Sequence, residues 1–246
     1  MSRAVVLAGG RGTRLLPYTS VIPKPLMPIG DRAILEIVLA QLVRAGFERA
    51  TISIGYRGSL IEAVLGDGAA LGIALDYVRE EAPLGTAGAL ALVEDLEEPF
   101  IVMNGDVLTD LDYAELLARH AAGGAQLTIA TTLKCVQVSL GVLEFSVPEA
   151  PDRLTAYVEK PELAFVASMG VYAMSPPVLA HVEAGRRLDF PELVTRLLRA
   201  GARVDGWHRP DAYWLDIGRH EDYEEAVAEF ERMRHRLLPD ERPVSV

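Results

Sequence analysis

The sequence contains little cysteine and no long hydrophobic run, and both shortages exclude whole classes of protein. A single cysteine, Cys135, rules out a disulfide framework and a cysteine-ligated zinc site. The longest apolar runs, such as Ala4–Ala8 and Phe100–Met103, are far shorter than the ~20 residues that a membrane-spanning helix needs. The N-terminal residues also lack the layout of a secretory signal peptide. We therefore expect a cytoplasmic protein that binds no membrane.

Positive charge is also scarce, and it is unevenly distributed. The 246 residues carry a net charge of −11, which argues against nucleic acid as a partner, because nucleic acid requires a basic surface. Only three lysines occur against 21 arginines, and Lys24 and Lys160 each precede a proline. A lysine that is kept in a chain so rich in arginine indicates a position that needs a compact positive charge. Residues 1–30 contain four basic residues and no acid, which predicts a small anionic ligand there: Arg3, Arg11, Arg14 and Lys24.

Hydrophobic patterning in the first half of the chain predicts alternating strands and helices. The predicted strands are Ala4–Ala8, Ala50–Gly55, Ile73–Val78 and Phe100–Met103. The predicted helices run from Asp31, as N-cap, to Gly46, and over Ser59–Leu65 and Thr86–Val93. This rhythm favours an α/β fold with a Rossmann-like, mostly parallel sheet flanked by helices. Ligands of such sheets bind beyond the carboxyl ends of the strands.

The second half of the chain is less regular and ends in an amphipathic helix. The predicted strands are Gln126–Thr131, Gly141–Phe145, Arg153–Glu159, Phe165–Ala173 and Tyr213–Ile217. The predicted helices are Pro177–Val182, Pro191–Leu198 and a last one from Glu221 to about Arg236. The last helix carries an apolar stripe, which we expect to dock on its own domain.

A glycine-rich loop directly after the first predicted strand is the most informative stretch. The three glycines of Gly9–Gly12 let the backbone approach a ligand and direct amide N–H groups toward it, which suits phosphate oxygens. Arg11 and Arg14 add charge-assisted contacts. The loop lacks the Gly-Lys-Ser/Thr ending of a P-loop and the spacing of a dinucleotide fingerprint. With Lys24 following, the pattern favours anion binding over a tight turn alone.

The order of several further motifs extends this pattern along almost the whole chain. The loop at 7–15 and Pro23–Pro28 resemble the signature of the sugar-1-phosphate nucleotidyltransferases, closest to the branch that transfers guanylyl groups to mannose 1-phosphate. The resemblance spans roughly residues 3 to 230. The other motifs follow in the order of that family: Leu84–Leu90, Asn104–Asp106, Gly141–Val142, Glu159–Pro161, Gly170–Tyr172 and Trp214–Gly218.

The resemblance implies a GT-A-like architecture and a Mg²⁺-dependent reaction of a nucleoside triphosphate with a sugar 1-phosphate. The products would be a nucleoside diphosphate sugar and pyrophosphate. By position in the motifs, Asp106 and Asp216 match the metal ligands, and Arg14 and Lys24 match the cations of the triphosphate and transition state. Hard carboxylate oxygens suit Mg²⁺. Nucleotide contacts are assigned to Leu7, Ala8, Gly9, Gly10, Arg11, Gly12, Thr13, Glu80, Gly85, Thr86 and Ala87. Sugar-phosphate contacts are assigned to Asn104, Gly141, Glu159, Lys160, Ser168 and Gly170.

The same resemblance suggests how the chain is divided. We expect one domain over 1–238, with a nucleotide-binding half over about 1–110 and a sugar-phosphate-binding half over about 111–238. The remaining residues, 239–246, are expected to form a flexible tail. Dimers or tetramers are common among similar proteins, so a homo-oligomer is a further expectation.

The base and the sugar are predicted from side-chain chemistry. Glu80 stands where thymidylyl-type members carry glutamine, and an acceptor-only carboxylate fits the N1–H and N2–H₂ donors of guanine. GTP and a mannose 1-phosphate-like sugar are therefore favoured. Leu140 replaces an aromatic residue, and Ser168 replaces an asparagine of many members, which leaves other sugars open. Thymidylyl, uridylyl or cytidylyl transfer to glucose 1-phosphate stays an alternative.

A glycosyltransferase of related architecture is the nearest rival class. It would use a DxD motif at a strand end, and Asp110-Leu111-Asp112 has that spelling. We interpret these two acids as an N-cap and a solvated side chain, because Asp106 already occupies the strand end. A nucleotide-sensing protein without activity is a second rival, which the intact set of charged residues disfavours.

Overall fold

The computed structural model describes residues 2–146 and 153–239, and it is built around one large sheet. The last residues of the expected tail, 240–246, lie outside the described residues. In chain order the strands are β1 (Arg3–Ala8), β2 (Pro28–Ile29), β3 (Arg32–Ala33), β4 (Arg49–Ile54), β5 (Ala74–Arg79), β6 (Phe100–Asn104), β7 (Val107–Thr109), β8 (Leu127–Gln137), β9 (Gly141–Phe145), β10 (Leu154–Glu159), β11 (Glu162–Met174), β12 (Val204–His208) and β13 (Trp214–Asp216). The helices are α1 (Ile34–Arg44), α2 (Gly58–Leu65), α3 (Gly85–Gly88), α4 (Tyr113–Gly123), α5 (Phe190–Arg199) and α6 (His220–Leu237).

The central sheet has seven strands in the order β12-β8-β11-β6-β1-β4-β5. All neighbouring pairs are parallel except the two that involve β11, so β11 is the one antiparallel strand of this sheet among the residues that the structure describes. The predicted mostly parallel sheet is therefore confirmed. The central strands β1, β4 and β6 are almost entirely buried and consist mainly of apolar residues, because helices cover both of their faces.

Helices cover both faces of the sheet and form two separate cores with it. One core packs α1, α2 and α4 against the sheet, with Leu39, Ile61 and Leu116 at 0% exposure. The other packs α3 and α5 against the opposite face, around Phe190 and Leu193. A third cluster docks the apolar stripe of α6 on β2, α1 and β13, as its sequence pattern predicts. Among the described residues, no helix is both long and apolar enough to cross a membrane.

Several predicted boundaries are wrong, for identifiable physical reasons. Asp31 does not cap α1, because its carboxylate pairs with Arg234 of α6. The helix begins instead after Ala33, whose N–H donates to the Glu36 side chain at 2.7 Å. The 85–92 segment is a single helical turn followed by a 3₁₀ turn rather than one helix. The sequence pattern did not predict five elements, namely β2, β3, β7, α4 and β12.

A two-stranded ribbon, which we call the arm, extends β8 and β11 beyond the central sheet. The arm comprises residues 132–146 and 153–168 of the described chain. Its base is the β8–β11 ladder, its outer part is the β9–β10 ladder, and the N–H of Val138 donates to the Pro161 carbonyl between them at 2.9 Å. Both ladders are antiparallel. Strand β8 extends six residues past its predicted end at Thr131, and β11 begins three residues before its predicted start at Phe165.

Candidate active site

The glycine loop lies at the carboxyl end of β1 and is fixed from two sides. Gly12 has a φ of +60°, and the Thr19 hydroxyl donates to its carbonyl at 2.9 Å. A Cβ at Gly9 would lie 2.3 Å from an oxygen of Glu80. Glycine is therefore favoured at Gly12 by its backbone, and a side chain at Gly9 would displace Glu80, whereas no atom lies within 4 Å of an added Cβ at Gly10.

Sheet pairing brings Asn104 and Asp106 beside this loop. Strands β1 and β6 are adjacent and parallel, with Leu7 opposite Asn104. Immediately after β6, the Gly105 N–H donates to the Leu7 carbonyl at 2.9 Å. The two predicted ligand-binding turns therefore meet at the same sheet edge, as expected for parallel strands.

A second short ladder brings in Asp216 from 110 residues further along the chain. Strand β13 pairs antiparallel with β7, and Asp216 lies opposite Val107. The Ile217 N–H donates to the Asp106 carbonyl at 3.2 Å. The two acids predicted as metal ligands therefore meet at one point of the cleft.

Lys24 is held against Asp106 inside the cleft. It lies in a 3₁₀ turn between two prolines, is 9% exposed, and pairs with Oδ2 of Asp106. The second oxygen, Oδ1, is buried and has no hydrogen-bond partner. A buried carboxylate oxygen without a donor is a ready ligand for a hard cation.

The electrostatics of Asp216 reflect this neighbourhood. Desolvation and the Asp106 carboxylate raise the pKa of Asp216, whereas Lys24 and Arg14 act in the opposite direction. Among the described residues, no group of three or more His, Cys, Asp or Glu side chains could hold a metal. Two carboxylates therefore fit an ion such as Mg²⁺ that takes its remaining ligands from phosphates and water.

One cavity of about 380 Å³ joins most of the predicted nucleotide-binding residues to both acids. A second cavity, of about 220 Å³, lies between the glycine loop, Lys24 and Asp106, and its wall includes Ala8, Gly12 and Thr13. A third, beside Gly9, is lined by Arg11, Tyr56 and Glu80. The larger cavity is lined by these predicted residues: Leu7, Gly9, Gly10, Arg14, Glu80, Gly85, Thr86, Asn104, Asp106 and Asp216.

Glu80 is oriented by two hydrogen bonds, one to each oxygen. The Ser53 hydroxyl donates to Oε1 at 2.9 Å, and the Leu84 N–H donates to Oε2 at 2.9 Å. An ionised carboxylate has about four lone-pair sites, so about two acceptor sites are left for a ligand. The sequence did not single out Ser53, whose small, buried hydroxyl fixes this acid.

The turn at Gly85 is organised by a loop that the sequence did not indicate. The Thr86 N–H donates to Asp189 Oδ1 at 3.0 Å, and the Phe190 N–H donates to the Thr86 hydroxyl at 2.9 Å. Asp189 and Arg187 line the large cavity. Ala87, in contrast, is fully buried in the second core and its N–H donates to the Leu188 carbonyl, so it packs the turn rather than facing the cavity.

Asn104 also faces a smaller cavity, of about 160 Å³, that contains Ser168 and Gly170. Gly170 has a φ of +72°, and a Cβ there would lie 2.8 Å from the Asn104 amide nitrogen. The Gly170 N–H and the Ser168 hydroxyl are 3.3 Å apart. These three predicted sugar-side residues are therefore brought together next to Asp216.

The remaining predicted sugar-phosphate residues lie on the arm, outside these cavities. The Tyr157 ring packs over Gly141, and its hydroxyl donates to Glu159 at 2.9 Å. Lys160 is exposed at the turn between β10 and β11, with a φ of +46°. The structure does not bring these residues to the acids, and their role stays a prediction.

The contacts of Asp110 and Asp112 disfavour the alternative that these two acids form the DxD motif of a glycosyltransferase. Asp110 pairs with Arg236 and accepts the Tyr213 N–H at 2.8 Å. Asp112 is the N-cap of α4 and accepts the Glu115 N–H at 2.9 Å. The N-cap prediction is confirmed, whereas the other acid is ion-paired rather than solvated.

The fold is GT-A-like, a Rossmann-like, mostly parallel sheet that carries the glycine loop, two cations and two converging acids at one edge. Residues 3–232 match the family model described as "Nucleotidyl transferase". The chain belongs to the nucleotidyl transferase family.

Curated relatives agree with this membership. The chain is 35% identical over 235 residues to a mannose-1-phosphate guanylyltransferase of Mycobacterium tuberculosis, covering 93% of this chain and 64% of the relative. It is 31% identical to the catalytic subunit beta of the same enzyme from Dictyostelium discoideum, covering 90% and 62%. The chain thus spans less than two thirds of the length of these relatives.

Solved structures agree on the fold. HddC from Yersinia pseudotuberculosis, complexed with GMP-PN, superposes with a TM-score of 0.71 at 26% identity, covering 94% of this chain and all of that one. A putative glucose-1-phosphate thymidylyltransferase from Bacillus anthracis gives 0.74 at 22% identity, over 100% and 98% of the two chains. The latter likeness supports the fold alone.

Proposed function

We propose that the protein is a sugar-1-phosphate guanylyltransferase, which joins GTP and a mannose 1-phosphate-like sugar to give a GDP-sugar and pyrophosphate. The observation that carries the proposal is the meeting of the glycine loop, Lys24, Asp106 and Asp216 in one cleft. Relatives named mannose-1-phosphate guanylyltransferase over 90% or more of this chain support the substrates. The reaction draws on cytoplasmic GTP, and the cytoplasm is the location we propose.

The chemistry follows from the charges in the cleft. An oxygen of the sugar phosphate attacks the α-phosphorus of GTP, and the bond from that phosphorus to the pyrophosphate oxygen breaks. No general base is required, because the attacking phosphate is ionised near neutral pH. The loop N–H groups, Arg14 and Lys24 bind the triphosphate and stabilise the charge that develops on the leaving group.

A divalent ion, for which we propose Mg²⁺, would be held by Asp106 and Asp216. When bound, it would screen the repulsion between the two phosphate groups. The unpartnered Oδ1 of Asp106 supports this assignment. Chelation with EDTA should abolish pyrophosphate release and added Mg²⁺ should restore it. Asp216→Asn should raise the Mg²⁺ concentration required for half-maximal rate, while Asp211→Asn, an exposed neighbour, should not.

We propose that the Glu80 carboxylate recognises the guanine base by accepting hydrogen bonds from it. Ser53 and Leu84 fix its carboxylate, so its free acceptor sites are oriented before the base arrives. The N1–H and N2–H₂ groups of guanine are both donors, which a carboxylate accepts and a glutamine amide only partly matches. We also propose that Lys160 binds the phosphate group of the sugar 1-phosphate and that Glu159 binds its hydroxyls, which would require the arm to approach the cleft.

A panel of nucleoside triphosphates against sugar 1-phosphates, with Mg²⁺ and a pyrophosphate readout, tests the proposal. GTP should be the fastest donor, and Glu80→Gln should lower its kcat/KM at least tenfold relative to dTTP. Glu98→Gln, at an exposed site outside these cavities, should leave that ratio unchanged. Faster turnover of dTTP, UTP or CTP would contradict the guanine assignment. Absence of pyrophosphate with every pair would contradict nucleotidyl transfer itself.

A further inference from the structure

Tyr56 is the one aromatic side chain among the described residues that line the three cavities around the glycine loop. It lies in the wall of the cavity beside Gly9, which has a volume of about 220 Å³. Gly9, Glu80 and Pro83 line both this cavity and the larger one that reaches the two acids, so the two cavities adjoin each other. The Tyr56 ring is therefore part of the cleft, although it has no part in the phosphate chemistry of the proposed reaction.

The central sheet places Tyr56 beside Gly9 and Glu80. Strands β1, β4 and β5 are adjacent and parallel, and each of the three residues lies within two positions of the carboxyl end of one of these strands. The Tyr56 N–H donates to the Gly9 carbonyl at 3.2 Å, and the Glu80 N–H donates to the Ile54 carbonyl at 2.8 Å. Backbone pairing therefore fixes where the three residues leave the sheet, at the edge where ligands of such sheets bind.

Arg57 holds the Tyr56 ring in place. Its backbone has a φ of +55°, which is uncommon for a residue with a Cβ. Its Nε donates to the Tyr56 hydroxyl at 3.0 Å, and its guanidinium carbon lies over the ring, 5.4 Å from the centroid. The same guanidinium donates to the Ser20 carbonyl, which ties it to the loop that follows Gly12. The ring is therefore oriented before a ligand arrives, and binding costs little additional side-chain entropy.

Charge distinguishes this cavity from the one that suits phosphates. The walls of the cavity beside Gly9 contain two carboxylates, Glu80 and Glu81, against one guanidinium, that of Arg11. The cavity around Lys24 has the opposite balance, with two cations against one carboxylate in its described walls. Carboxylates repel phosphate but accept N–H donors, and an aromatic side chain such as Tyr56 offers a surface on which a base can stack. The chemistry of the Tyr56 cavity therefore suits a nucleobase.

We propose that the Tyr56 ring stacks on the nucleobase of the bound nucleotide, while Glu80 accepts hydrogen bonds from the edge of that base. The inference rests on the proposed function and divides base recognition between the two residues. Stacking tolerates any base because every base has a π-face, so Tyr56 supplies affinity and Glu80 supplies identity. The base does not change during the reaction, so the stacking contact is equally strong in the ground state and in the transition state.

Calorimetric titration of the purified chain with GTP, and separately with inorganic tripolyphosphate, tests the inference. Tyr56→Ala should raise the Kd of GTP about fivefold or more, the usual effect of removing a stacked aromatic side chain. The Kd of tripolyphosphate, which has no base, should stay unchanged and show that the phosphate end is intact. Tyr56→Phe keeps the ring and should bind GTP like the wild type. Phe165→Ala, which removes an exposed ring from the arm, should change neither Kd.

Steady-state kinetics give a second readout. Tyr56→Ala should raise the KM for GTP about fivefold or more with kcat near the wild-type value, because uniform binding is lost. Its ratio of kcat/KM for GTP over dTTP should stay unchanged, in contrast to Glu80→Gln.

Three results would overturn the inference and leave the proposed function intact. They are an unchanged GTP Kd in Tyr56→Ala, a parallel loss of tripolyphosphate affinity, or a Tyr56→Phe variant as weak as Tyr56→Ala. A wild type that does not bind GTP would contradict the proposed function, and the inference with it.

Discussion

Replacing Gly85 by alanine should lower both the stability of the protein and its activity, because the added methyl group has no room in the turn. Its φ is +77°, and an added Cβ would lie 2.6 Å from both the Leu188 carbonyl oxygen and Asp189 Oδ1. The carbonyl cannot move away cheaply, because it already accepts the N–H groups of Ala87 and Gly88 at 2.9 and 3.0 Å. Gly85→Ala therefore combines an unfavourable backbone conformation with a steric clash.

The two costs are separable by comparison with Gly124, which has a φ of +70° but no atom within 4 Å of an added Cβ. Gly124→Ala should lose about 1–2 kcal/mol of unfolding free energy, the cost of left-handed backbone for a residue with a Cβ. Gly85→Ala should lose a further ~1–3 kcal/mol from overpacking. For a chain of this size, each kcal/mol lowers Tm by about 2–4 °C.

Urea unfolding of both variants and the wild type measures these differences directly. Gly85→Ala should also slow pyrophosphate release, since the displaced Asp189 holds Thr86 at the cavity wall. Gly124→Ala, at the end of α4, should keep the wild-type rate. Equal losses of stability in the two variants would refute the reasoning, because they would show that the Leu188–Asp189 loop yields to the methyl group without cost.

Two further changes test the cleft and the core. Lys24→Met should lower the rate of pyrophosphate release about 100-fold or more, the usual cost of removing one transition-state charge partner, while Arg199→Met on α5 should not; retention of a tenth of the rate would contradict the role. His120 is buried between the Thr128 and Ser175 hydroxyls, at 2.8 and 2.9 Å, and desolvation lowers its pKa. As pH falls, His120 therefore binds a proton in the unfolded chain before it does so in the folded chain. The free energy of unfolding should consequently decrease as pH drops below about 6.5. Urea titrations at pH 7.5 and 5.5 should show a smaller loss for His120→Gln, and equal losses would refute the assignment.

The parallel core was predictable because its strands are buried on both faces and read as continuous apolar runs. Strand β1 and its glycine loop are the clearest case. The arm was predicted only in part, since the outer half of β8 and the first three residues of β11 depend on pairing with each other rather than on burial. Helix α1 shows a different limit. Asp31 is a good N-cap by residue type, but its carboxylate pairs with Arg234, which is distant in the sequence, and does not cap the helix.

The site residues that belong to a motif at the end of a strand were predictable from the sequence. Residues that reach the cavity only through tertiary contacts were harder to predict. The convergence of Asp106 and Asp216 follows from the β7–β13 ladder, whose strands have three residues each and give little periodic signal. Arg187 and Asp189 lie in a loop without a strong pattern, and they reach the cavity only because Leu188 packs on the Gly85 turn. Ser53 is hidden inside a strand whose other residues are ordinary core.

Strand β11 is a single span of 13 residues that begins in the arm and ends in the central sheet. Its register changes between Ser168 and Tyr172, beside the small cavity that faces Asn104. If the outer end of this strand twists, the resulting strain would be taken up first at this change of register, because the ladder of hydrogen bonds is interrupted there. Movement of the arm toward the cleft would therefore reach the small cavity along the backbone of β11, so that the positions of Ser168 and Gly170 would depend on the positions of Glu159 and Lys160.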